Sequence, residues 1–219
     1  MIRKAALALA APLVFALSAP PAWALDEPVN APAAQRVARE GAGLKTAIFA
    51  GGCCWCVESD FDQVKGVSET ISGYIGGKAD NPTYESHTAN GDREAVQITY
   101  DPSVVSYAAL LETFFRTVDP TDAGGQFCDR GHSYSTAVYA LNEEQAAEAE
   151  AAKAEAETIL GKPVVTEIVP APTFWPAEDY HQDFYEKSPV RYTYYRRACG
   201  RDAAVSALWG EEAFKGMEK

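Results

Sequence analysis

The sequence predicts an α+β fold: a two-layer sandwich in which helices flank a mixed β-sheet core, with long functional loops and an irregular C-terminal tail. Three observations carry this expectation. Short apolar or alternating stretches are interspersed with amphipathic ones, their succession lacks the strict βαβ rhythm of a parallel sheet, and no segment repeats.

Thr46 to Ala50 is an apolar strand that runs into Gly51-Gly52 and then an amphipathic helix from Cys53 to about Val64. Val67 to Tyr74 and Ala95 to Tyr100 alternate as strands, the second stopped by Asp101-Pro102. Between them Ile75 to Arg93 contains Gly76-Gly77, Asn81-Pro82 and Asn90-Gly91, a loop of a length that compact domains keep for function or leave disordered. Ser106 to Val118 has helical period in Leu110, Leu111, Phe114 and Phe115, with Ser106 as its cap. A second long Gly-rich loop covers Asp119 to Ser133, and Thr136 to Leu141 returns as a strand. Asn142, followed three residues later by Gln145, opens a helix that stops at Gly161 with Pro163 beyond. Val164 to Val169 is the last strand, and Ala177 to Lys187 a helix. The C-terminal tail starts at about residue 189.

The N-terminus reads as a leader. Arg3 and Lys4 precede an apolar run from Ala5 to Ala19, and Ala22-Trp23-Ala24 supplies a small-x-small cleavage site, so residues 1–24 are expected to be a signal peptide. The run is too short for a membrane span, and no stable membrane insertion is expected after cleavage. Residues 25–43, rich in Ala and Pro, read as a flexible tether, which leaves residues 44–219 as one domain. Export implies an oxidising, periplasm-like compartment. The net charge of −12, or −14 without the two leader cations, argues against nucleic acid and anionic membranes as partners.

All five cysteines, Cys53, Cys54, Cys56, Cys128 and Cys199, lie beyond the leader, and an odd number cannot all pair within one molecule. A thiol where a strand turns into a helix meets unpaired backbone N–H groups and the positive end of the helix dipole, which favours thiolate. Cys53, just after Gly51-Gly52, fits that position best. Cys53 and Cys56 could chelate a metal, but no second ligand pair stands at a matching spacing, so no metal is expected. A cysteine hydrolase would need His87 or His181 beside Cys53. A thioredoxin-like thiol-disulfide exchanger would use Cys53-Cys54-Trp55-Cys56, and a non-catalytic Cys-based metal module would hold zinc or copper(I). The remaining chemistry is reduction of an oxidised sulfur.

Gly52-Cys53-Cys54-Trp55-Cys56-Val57-Glu58 resembles the Gly-Cys-Phe-Trp-Cys-x-Glu signature of the peptide methionine sulfoxide reductase A family. Gly73-Tyr74-Ile75-Gly76-Gly77, Asn81-Pro82-Thr83-Tyr84, Tyr100-Asp101-Pro102, Asp119-Pro120-Thr121, Asp129-Arg130-Gly131 and Ala177-Glu178-Asp179-Tyr180-His181-Gln182 follow in the family's order, roughly over residues 45–189. The resemblance implies thiol-dependent reduction of methionine S-sulfoxide, free or in oxidised proteins. It implies no cofactor and a thioredoxin-like electron donor.

Residue by residue, the resemblance makes Cys53 the nucleophile and Glu94 the acid that protonates the departing oxygen. Tyr84 and Tyr134 would bond that oxygen, Asp129 would line the same pocket, and Trp55 would wall the S-methyl group. Cys199, in the tail, is the favoured resolving cysteine, with Cys128, Cys56 and Cys54 as rivals. His181 and Gln182 receive only a packing role. The chain departs from the family at Cys54, where Phe is usual, at Asp92-Arg93 before Glu94, at Val118 before Asp119, and in Gly131 to Ser135. Arg93, if it leaned toward Glu94, would favour the ionised carboxylate and oppose the acid role.

Overall fold

The computed structural model describes residues 43–218, so the leader and all but the last residue of the tether lie outside the described residues. The chain runs β1 (Lys45–Ala50), α1 (Cys54–Phe61), β2 (Val67–Ile75), α2 (His87–Asn90), β3 (Arg93–Tyr100) and α3 (Tyr107–Arg116). It continues through a small ribbon of β4 (Gly125–Gln126) and β5 (Asp129–Arg130) to β6 (Ala137–Ala140), α4 (Glu143–Leu160), β7 (Glu167–Pro170) and β8 (Phe174–Pro176). It closes with α5 (Phe184–Lys187), α6 (Pro189–Ala198) and α7 (Arg201–Trp209). The main sheet has the order β7-β6-β1-β3-β2-β8, with β6 and β7 parallel and the other neighbours antiparallel. It is the mixed sheet of an α+β fold.

Strand β1 reads as a continuous apolar run because both its faces are covered. Ala47 and Phe49 join a large cluster with Phe61 of α1, Leu110 and Phe114 of α3 and Ala149 and Ala156 of α4. Ile48 and Ala50, pointing the other way, join Ile71, Ile75, Ala95 and Phe174. Phe49 is the hub, with ring centroids 4.9 Å from Phe114 and 5.4 Å from Phe61. Removing such a buried ring costs about 3–5 kcal/mol.

The expected caps are in place: Ser106 accepts from the Ala109 amide, Asn142 from the Gln145 amide, and Gly161 closes α4 in the left-handed conformation. Three expectations change. Val164 to Val169 is not the last strand, because Phe174–Pro176 adds β8 against the edge of β2. Of Ala177 to Lys187, only Phe184–Lys187 is helical, because Pro176 ends a short strand and Gln182 is drawn into the sheet. Its side chain accepts from the Ser72 amide at 2.8 Å and donates to the Ser72 carbonyl at 2.9 Å, doing a ladder strand's work. The C-terminal segment, expected to be irregular, forms α6 and α7 and is pinned to the body. Arg196 reaches the fully buried Asp60 at 2.7 Å, and Arg201 lies 3.7 Å from the same carboxylate while donating to the carbonyls of Gly51 and Thr117.

Candidate active site

The site is built where β1 hands over to α1. Gly52 has φ +89°, and a Cβ there would lie 2.7 Å from Cβ of Gln126, so both conformation and space require glycine. Cys53 is the N-cap of α1, with φ −53° and ψ 122°, and its carbonyl accepts from the Cys56 and Val57 amides. Standing outside the helix, its side chain is free to meet that of Cys56, and the two thiols share a hydrogen bond. All three cysteines of the cluster are buried and free.

The expected thiolate at Cys53 is not favoured in this resting arrangement. Burial pushes the Cys53 thiol well up, helped by Cys56, Glu94 and Cys54, and one short helix does not outweigh that loss of hydration. The Cys56 thiol is lowered instead, by the hydrogen bond from Cys53 and then, against burial, by the guanidinium groups of Arg201 and Arg196.

Glu94, near the start of β3, is buried and accepts from the amide of Cys54 at 2.9 Å, which places its carboxyl beside the residue after Cys53. Burial raises its pKa and favours the neutral acid, opposed by the bonds from Cys54 and by His87. Arg93 does not lean toward it. Adjacent strand residues face opposite ways, and the Arg93 guanidinium bonds Ser135, Tyr139 and Glu167. His87, weighed from sequence only as a hydrolase partner for Cys53, sits instead with Nε2 3.7 Å from Glu94 Oε1 and its ring stacked on Tyr74. Its Nδ1 lies 2.7 Å from the Tyr84 carbonyl, which can only accept, so Nδ1 carries a proton and Nε2 is the nitrogen that faces Glu94.

Tyr84 and Tyr134 flank the same space. Burial raises both phenol pKa values, and the charges of Glu94 and Cys53 act on each. Trp55 is half-buried and stacks on Phe184 with centroids 3.8 Å apart, meets Tyr195 edge-on at 5.7 Å, and donates from Nε1 to His181 Nδ1 at 2.9 Å. His181 thus fixes the tryptophan and does more than pack a helix. Cys54, in the usual Phe position, is buried in the main core, and Val118 is likewise core.

Asp129 is bonded by the Tyr195 hydroxyl, which also contacts the Cys53 thiol, and its other oxygen lies 3.8 Å from the Cys128 sulfur. Two side chains, Tyr195 and Asp129, therefore link Cys53 to a second sulfur centre. Cys128 and Cys199, weighed as rivals for resolving Cys53, are joined to each other in a disulfide with Cα atoms 4.9 Å apart. Among the described residues, the metal-capable group that forms is Cys128, Asp129 and Cys199, and its two sulfurs are already bonded together. Tyr195 and Phe184 could not be singled out from sequence, since the role of each exists only through tertiary contact.

A family model described as peptide methionine sulfoxide reductase matches residues 45–213. A protein of Rhizobium meliloti named peptide methionine sulfoxide reductase MsrA 2 is 60% identical over 171 residues, covering 78% of this chain and 86% of its own. The reduced form of Mxr1 from Saccharomyces cerevisiae superimposes with a TM-score of 0.66 at 27% identity, over 69% of this chain and 89% of that one. Methionine sulfoxide reductase A of Corynebacterium diphtheriae gives 0.64 at 30% identity, over 69% and 78%. With its sheet, its cysteine-bearing helix start and its buried glutamate, the chain belongs to the peptide methionine sulfoxide reductase A family.

Proposed function

We propose that this enzyme reduces the S epimer of methionine sulfoxide, free or in peptides and oxidised proteins, with Cys53 as nucleophile and Glu94 as proton donor. The observation that carries the assignment is the buried Glu94 carboxyl held at the amide next to Cys53. Sulfoxide oxygen leaves poorly unless it is protonated as sulfur is attacked, and a carboxyl kept neutral by burial supplies that proton. Cys53 sulfur bonds to the substrate sulfur while Glu94 gives its proton to the oxygen, with Tyr84 and Tyr134 bonding that oxygen. Trp55, backed by Phe184, walls the S-methyl group, and the Cys53 proton returns to Glu94. The oxygen then passes to Cys53, giving methionine and a sulfenic acid: thiol plus sulfoxide become sulfenic acid plus thioether.

Cys199 then attacks the sulfenic sulfur, releasing water and forming a Cys53–Cys199 disulfide. Cys128 next attacks Cys199, which frees Cys53 as a thiol and leaves the Cys128–Cys199 bond. Cys128 is exposed where Cys53 is buried, which supports a thioredoxin-like dithiol donor acting on this outer pair. The hydrogen bond between Cys53 and Cys56 favours Cys56 as the rival first partner. Export to a periplasm-like compartment belongs to the same proposal, on the strength of the leader residues and the solvent-facing disulfide.

The test is incubation of each sulfoxide epimer with the enzyme and dithiothreitol. Methionine should form from the S epimer, and not with Cys53→Ser. No product from the S epimer, or undiminished turnover in Cys53→Ser, overturns the assignment. After one turnover of Cys128→Ser, mass spectrometry should find Cys53 linked to Cys199, and a Cys53–Cys56 link would replace the proposed relay.

A further inference from the structure

Aromatic rings lead from the reaction centre to the surface at one place. Trp55 bonds His181, whose ring centroid lies 4.9 Å from that of Tyr84 and 4.3 Å from that of Tyr180. Tyr84 is 44% exposed and Tyr180 54% exposed, while His181 between them is buried. Tyr180 has no part in the chemistry above, yet it holds a ring at the rim of that chemistry. Its surroundings are acidic: Glu178 accepts from the Tyr74 hydroxyl and the Tyr84 amide, Glu85 follows Tyr84 in the chain, and both carboxylates raise the Tyr180 phenol after burial does. An exposed ring face beside carboxylates attracts a cation through the ring quadrupole and through charge together. The chain's net charge of −12 draws cationic segments toward it from further away.

We propose that Tyr180, with Tyr84, Glu85 and Glu178, forms a subsite for an arginine or lysine side chain next to the methionine sulfoxide in a peptide substrate. The subsite rests on the reductase reading, since it places the neighbouring residue of a bound sulfoxide. It would make the enzyme choose among oxidised methionines by local sequence, favouring those in basic stretches.

The experiment compares kcat/KM for blocked peptides carrying arginine or glutamate on either side of methionine sulfoxide, with N-acetylmethionine sulfoxide as the substrate that lacks neighbours. The unmodified enzyme should prefer an arginine peptide by about two- to fivefold, chiefly through KM. Tyr180→Ala should abolish the preference and Tyr180→Phe keep it, with N-acetylmethionine sulfoxide turned over equally well by all three. A preference that survives Tyr180→Ala, or is absent from the unmodified enzyme, overturns the subsite. So does a parallel loss on N-acetylmethionine sulfoxide in Tyr180→Ala, which would make the ring a support for His181. Failure of the unmodified enzyme on N-acetylmethionine sulfoxide would instead strike the reductase reading itself.

Discussion

Cys53, Cys54 and Cys56 are packed into the start of α1 and shut away from solvent, whereas Cys128 and Cys199 sit at the rim, one on a loop and the other between two helices. The two groups face opposite demands. In the proposed reaction a sulfoxide is protonated where water is excluded, which suits the joint burial of Cys53 and Glu94. A reducing protein can only reach a sulfur at the surface. Tyr195, on Cys53, and Asp129, on Cys128, bond each other and so join the two centres. The difference teaches that burial, more than a poised thiolate, organises the inner group, since burial raises Cys53 and Glu94 alike.

Four changes would break or sharpen this contrast. Glu94→Gln removes the proton donor from the inner group and should lower the single-turnover rate by about 10²- to 10⁴-fold, without altering reduction of the outer disulfide by dithiothreitol. In the unmodified enzyme that rate should fall as pH rises through the raised pKa of Glu94, and in Glu94→Gln this limb should vanish from the pH profile. Asp60→Ala leaves Arg196 and Arg201 without their buried partner and should cost about 3–5 kcal/mol in a denaturant titration. Because those arginines hold the segment carrying Cys199, disulfide formation should slow more than methionine release.

Glu58→Gln tests burial alone. Glu58 is buried beneath Cys54, near the Asp183 backbone and Ser72 but without a well-formed hydrogen bond, and burial lifts its pKa from 4.5 to about 8. The unfolded chain releases that proton near 4.5 and the folded one near 8, so stability contributed below that window is lost as pH rises through it. Glu58→Gln should therefore gain on the order of 2 kcal/mol over the unmodified chain at pH 9 and much less at pH 4, read by thermal or urea unfolding. The smallest effect on first-turnover chemistry belongs to Cys128→Ser. The rate of its first turnover should match the unmodified enzyme, but without reductant its burst should stop at one methionine per enzyme, where the unmodified enzyme, whose relay frees Cys53, should form a second.

The strands and helices that announce themselves by local chemistry were legible in the sequence. Ser106 and Asn142 cap helices through their own side chains, Gly161 ends one through its left-handed backbone, and β1 shows its double burial as an unbroken apolar run. Residues 177–183 were not, because Gln182 trades a helical place for two bonds to Ser72, 110 positions away. Nor were α6 and α7, whose order comes from buried ion pairs with Asp60. The site follows the same rule. Cys53 and Glu94 stand in contiguous motifs, while Tyr195, His87 and the Cys128–Cys199 bond arise only when distant segments meet. Arg93 shows the converse, a neighbour in sequence that the strand's alternation turns away from Glu94.

Cys199 and Gly200, the latter at φ +67°, lie between the anchored Arg196 and Arg201. A swivel fixed at both ends sweeps a small arc. The sulfur it carries would meet an inner partner at a high effective concentration without a long chain search, so the sulfenic acid would have little time to oxidise further.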